Sequence, residues 1–252
     1  MRIAQLSIAV LLAIMPGSFA QTAPGMPEAG VRRPAIPLQT TSGTGFTGAP
    51  YSGKATTVKE KTLTDGTRIT ETFVELIWRD AEGCTRKELI QHTDAGAEYR
   101  SIIITDPVGG MYRKWTEGYP SGGQVMHIWP LPPNQRVTAP PSPINQGKVE
   151  TRPDFRNEIL TSQEVNGVFA VGSRWVRITQ LTEEISKRVV EVTNELWISP
   201  ELRIIMRHIH DDPETGIEDT EVTEVVRGDP DPALFQAPEG YAVVDHRPQS
   251  QR

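Results

Sequence analysis

His208, Ile209 and His210, with Asp211 and Asp212 behind them, are the residues whose types and spacing could do chemistry. On an extended strand, positions two apart point the same way about 6.6 Å apart, so both imidazoles could reach one metal ion. His127 could join them if its own strand packs nearby, and the chemistry would then be metal-dependent hydrolysis. The plainer expectation is a solvated or hydrogen-bonded pair beside a turn, with no metal bound. Cys84 follows Gly83 and precedes Arg86 and Lys87, cations that could lower its pKa and make it a nucleophile. With no evident His partner, it is expected to be incidental. Glu183-Glu184 and Asp211-Asp212 are adjacent acids, and that spacing does not set two carboxyls across a glycosidic bond. No G-x-S-x-G, P-loop, dinucleotide-binding glycine motif or H-E-x-x-H occurs, so no catalytic residue is assigned and no cofactor is expected.

Recognition residues are better represented. Trp78, Trp115, Trp129, Trp175 and Trp197 all fall in strand-like runs, together with Phe73, Met126, Phe169 and Met206. Most of these must be core, but a curved sheet with few helices leaves an apolar face that needs a lid, a ligand or a partner. The five tryptophans are therefore the candidate ligand-binding residues. Arg86, Lys87, Arg100, Arg113 and Lys114 punctuate neighbouring runs and form either the wet face of the sheet or a patch for an acidic partner.

The elements that would position these residues are strands. From Glu191 the chain reads EVTNELWI, a Ser199-Pro200-Glu201 turn, LRIIMRHIH, a turn through Asp211–Gly216, and IEDTEVTEVV. Alternating Val, Ile and Thr between Pro, Gly and Asp predicts an antiparallel meander. Earlier, strands are expected over 54–63, 67–79, 85–91, 99–105, 111–115 and 124–129, with a hairpin turn at Asp65-Gly66. The 67–79 run carries apolar residues on both faces towards its end, which predicts a central strand. Asn166-Gly167 predicts a hairpin joining 157–165 to 168–180. Thr182–Val189 is the one expected helix, with Thr182 as its cap. Residues 130–143 hold six prolines and predict an extended crossing between two sheet halves. Gln236–Arg252 is expected to trail off with Pro and Gly.

Residues 1–20 read as a secretory signal: a basic start, a short apolar run, then Ser18-Phe19-Ala20 before a cleavage site. Residues 21–50 are rich in Pro, Gly and Thr and predict a flexible leader. The folded domain is expected over 51–245, with 246–252 as a tail. No transmembrane segment is expected after cleavage. The 252 residues carry a formal net charge of −6, which argues against nucleic acid and anionic membrane as partners. A single cysteine excludes an internal disulfide, so a continuous core must hold an exported chain together.

The phrases Pro50-Tyr51-Ser52-Gly53, Trp78-Arg79-Asp80 and Thr85-Arg86-Lys87-Glu88 resemble those of uncharacterised exported bacterial β-proteins. The ending, ELWISPELRIIM followed by TEVTEVVRGDPDPALFQAPEGY, is similar to LolA-like lipoprotein carriers and RseB-like periplasmic regulators. That resemblance implies an unclosed antiparallel half-barrel holding acyl chains or a peptide partner. It transfers no functional residue, because the matching positions are turns and core. The expectation is thus a mainly β protein, one curved antiparallel sheet with few short helices. Its expected role is to bind a lipid, another apolar ligand or an envelope protein, in the periplasm or outside the cell. A metal-dependent hydrolase using His208 and His210, or a structural envelope protein without ligand, are the alternatives.

Overall fold

The computed structural model describes residues 47–120, 123–132, 151–182 and 187–249, all within one compact unit. The expected signal, nearly all of the expected leader, most of the proline tract and the last three residues lie outside them. Among the described residues, thirteen strands form one curved, unclosed sheet in the order β13-β6-β5-β4-β3-β2-β1-β12-β11-β10-β9-β8-β7. The first half comprises β1 (Tyr51–Thr62), β2 (Arg68–Arg79), β3 (Thr85–His92), β4 (Glu98–Asp106), β5 (Met111–Glu117) and β6 (Val125–Pro130). The second comprises β7 (Thr151–Arg152), β8 (Phe155–Val165), β9 (Val168–Thr182), β10 (Lys187–Ser199), β11 (Ile204–Asp212), β12 (Gly216–Arg227) and β13 (Ala242–Asp245). All pairs are antiparallel except β13 with β6, which is parallel. Among the described residues no helix is long and apolar enough to cross a membrane.

The expected strands and turns are present. Asp65-Gly66 turns the first hairpin, where the Thr67 amide donates to Asp65 Oδ1. Asn166 and Gly167 both take positive φ, 50° and 76°, as the tight hairpin turn requires. Two expectations are corrected. Thr182 and Lys187–Val189 are strand, not helix, because β9 and β10 pair as far as Thr182 with Lys187; residues 183–186 lie outside the described set. The stretch from Gln236 does not simply trail off, since β13 pairs with β6.

The two halves join through β1 and β12, which pair from Tyr51–Arg227 to Glu60–Ile217. Cross-strand partners share a face, so Gly53, Ile77, Lys87, Ile103, Lys114, His127 and Val244 form one row across seven strands. The face they mark is called the Tyr51 face below; Trp78 marks the opposite one. The sheet buries the Tyr51 face around β1, β2, β11 and β12 and the opposite face around β4, β5 and β6. Tyr51, Ala55, Ile77, Met206 and Val222 pack beneath Val165, Val168 and Ala170 of the β8–β9 hairpin. On the Trp78 face, Ile102, Ile104, Trp115 and Met126 pack with Phe235 from a short 3-10 turn, Pro232–Phe235. β2 supplies Ile77 to one core and Trp78 to the other, as a central strand must. Register shifts at Ser52/Lys54, Trp197/Ile198 and Leu160/Gln163 are sites where bulges bend and twist a sheet.

Candidate functional site

Among the described residues, this division of the core leaves the Tyr51 face of β4, β5 and β6 without the cover it has at β8–β9. A groove of about 550 Å³ lies there, lined by Tyr99, Lys114, Trp115, Thr116, Tyr119, Gly123, Val125, His127 and Trp129. The register explains the lining. Tyr99, Thr116, Lys114, His127 and Trp129 alternate onto this face, while Trp115 and Met126 between them point into the core. Tyr119, beyond the end of β5, meets Tyr99 edge to face at 5.0 Å between ring centroids.

Trp129 and His127 of this lining belong to a group of parallel rings that extends beyond the groove. Tyr112, the cross-strand partner of Trp129, stacks on its indole at 5.2 Å and 15°. His127 and His246 lie parallel to the same indole at 5.2 and 4.8 Å. His127 Nδ1 and His246 Nε2 are 3.0 Å apart, with ring centroids 5.3 Å apart and planes 10° from parallel. That centroid spacing is what two imidazoles reach when their nitrogens meet head-on. The rings therefore lie side by side in one plane, one donating a proton to the other, with the indole across them.

The sequence candidates scatter. Trp129 lines the groove and Trp115 borders it. Trp115 is nonetheless core, 2% exposed, its Nε1 donating to Glu117 Oε1 at 2.8 Å. Trp78 packs against the second core and Trp197 belongs to the first. Trp175 stands half-buried opposite Asn194 on β10. His208 and His210 do share a face, yet both rings converge on Asn194 Oδ1, at 3.2 and 2.9 Å. Burial, and then the neighbouring His210, push the His208 pKa down. Among the described residues no cluster of three metal-binding side chains exists, and His127 pairs with His246 instead of joining this pair.

Cys84 is not activated. Burial first, then Asp80 and Asp106, push its thiol pKa up to about 12, outweighing Arg113. The expected basic patch divides as well. Arg86 and Arg100 both hold Glu88 on the Trp78 face, and Lys87 lies 3.4 Å from Glu75 on the other. Arg86 also donates to the Leu234 carbonyl, fastening the 3-10 turn over the second core. Lys114 is left exposed at the groove. Sequence reasoning missed Tyr99 and Tyr119 as groove residues and His246 as the partner of His127. His246 had no signal at all, since it meets a partner 119 residues away.

No protein-family model matches the chain. No curated protein matches it either. Among solved structures, the chain is similar to the Pseudomonas aeruginosa MucA/MucB complex at TM-score 0.42 and 15% identity, covering 77% of this chain and 58% of that one. It spans about three-fifths of the MucB chains it matches. A LolA superfamily protein from Nitrosomonas europaea gives TM-score 0.33 and 9% identity over 77% of this chain and 93% of that one. A DUF1329 family protein from Desulfovibrio piger gives 0.30 and 7% over 75% and 90%. These are distant likenesses of sheet architecture.

Proposed function

We propose that this chain is an exported binding protein of the cell envelope, which holds a lipid, another apolar ligand or an apolar segment of a partner in the β4–β6 groove. The observation that carries this reading is the groove itself: an aromatic-lined concavity on a face that elsewhere in the sheet is packed as core. Ligand sites of this kind combine ring surface with a few polar groups, and Trp129 and Tyr99 are its anchors. The signal-like start supports delivery to the periplasm. The metal-hydrolase alternative loses its support, because Asn194 occupies the point where the His208 and His210 nitrogens converge.

The test uses full-length protein purified from its native host. Mass spectrometry of the organic extract should recover an apolar molecule, and a neutral dye, N-phenyl-1-naphthylamine, should bind the stripped protein saturably. Trp129→Ala should weaken dye binding about tenfold, the loss expected on removing a buried aromatic contact. A dye that binds non-saturably, or equally well to Trp129→Ala, would rule the groove out.

A further inference from the structure

The charge of the groove is as selective as its shape. On the Tyr51 face, β4 presents Tyr99, Ser101, Ile103 and Thr105, and β5 presents Tyr112, Lys114 and Thr116. β6 adds Val125, His127 and Trp129, and β13 adds Ala242 and Val244. None of these is acidic, and among the described residues no carboxylate lines the groove. Yet the whole chain has 32 acids against 26 Lys and Arg. β2 carries two acids on this face: Glu75 is held by Lys87, and Glu71 lies opposite Lys59 on β1.

Three basic groups gather at one end. Lys114 and His127 are direct cross-strand partners, and His246 meets His127 nitrogen to nitrogen. The bond between the two rings leaves the accepting ring an outer N–H that can donate to an anion, beside the exposed Lys114 ammonium. The Trp129 indole lies parallel to both rings. Asp245 and Arg247, on either side of His246 in the chain, bind each other at 2.9 Å.

We propose that the groove is selective for a single-chain amphiphile with an anionic head group. The chain would lie along Tyr99, Tyr119 and Val125, and the head would sit against Lys114 and the His127–His246 pair. This rests on the groove being the binding site. A head group with one charge matches the Lys114 ammonium and the adjoining imidazole N–H donor at one end of an otherwise uncharged lining.

Displacement of the neutral dye from full-length protein by dodecanoate, dodecanol and dodecylammonium, at pH 7 and low salt, separates the two readings. Dodecanoate should displace it at about tenfold lower concentration than dodecylammonium, and added salt should narrow that gap. Lys114→Gln should weaken dodecanoate about fivefold while leaving dodecanol unchanged, and Lys114→Arg should restore it. Equal displacement by all three overturns the head-group selectivity and leaves the apolar groove standing. Displacement by none, with the dye bound saturably, overturns the amphiphile as ligand. Failure of the dye to bind saturably overturns groove and inference together.

Discussion

Burial sets the protonation of His208, and the sign of its effect on stability follows. Its folded pKa is pushed down by desolvation and by His210, so the folded chain refuses a proton that the unfolded chain accepts. Above the ordinary imidazole value of about 6.5 this costs nothing; below it, stability falls as pH drops through the depressed folded value. Urea unfolding between pH 8 and pH 5 should show that decline, and His208→Gln should flatten it over the same window. A second residue-level prediction concerns Arg79, which is 2% exposed and lies over the Tyr51 ring at 4.9 Å. It donates to the Ala49 carbonyl at 2.6 Å and also to the Leu202 carbonyl, tying the entry to β1 and the β10–β11 turn onto β2. Arg79→Met keeps much of the stem but leaves those carbonyls without their donor. Denaturant titration should show a loss of about 2–4 kcal/mol.

At the scale of elements, local signals were legible wherever a turn has its own chemistry. Asp65-Gly66 and Asn166-Gly167 dictate φ by themselves, and the strands between turns alternate because one face is wet. Thr182–Val189 failed because Thr-Glu-Glu reads as a helix start in isolation, while pairing of β9 with β10 through Thr182 and Lys187 settles the backbone there. β13 was illegible for the opposite reason. Ala242–Asp245 is four residues, too short for a period, and it exists by pairing with β6 more than a hundred residues earlier. The β11–β12 turn supports a further prediction. Gly216 has φ of 102°, and a Cβ there would run into the Glu60 carbonyl oxygen of β1. Gly216→Ala should therefore cost about 1–3 kcal/mol in thermal or urea unfolding, through the strained backbone and the displaced strand. Gly167, whose added Cβ would meet nothing within 4 Å, is the control for backbone strain alone.

The whole molecule depends on the β1–β12 seam. Its partners are far apart in sequence; the buried Thr57–Thr220 hydroxyl bond, 2.8 Å long, spans 163 residues. The halves can zip locally as hairpins, but the seam must pay a long loop closure before its contacts reward it. Hydrogen exchange should therefore find the greatest protection in β1, β2 and β12 and the least in β7 and β13, the sheet's two ends. Protection at β13 equal to that at β1 would mean that its edge is covered by something further.

Alternation, turn chemistry and charge were properties of the sequence alone, and they were enough to establish a curved antiparallel sheet with a central β2. They are local, each enforced by a residue on its immediate neighbours. Which tryptophan faces a groove, which histidine meets which, and which cation stays free depended on register between distant strands and on the face that each part of the sheet buries. Trp115 and Trp129 sit in adjacent strands of like composition. One became core and the other a groove wall because Phe235 closes over the first, while no comparable cover lies over the second among the described residues.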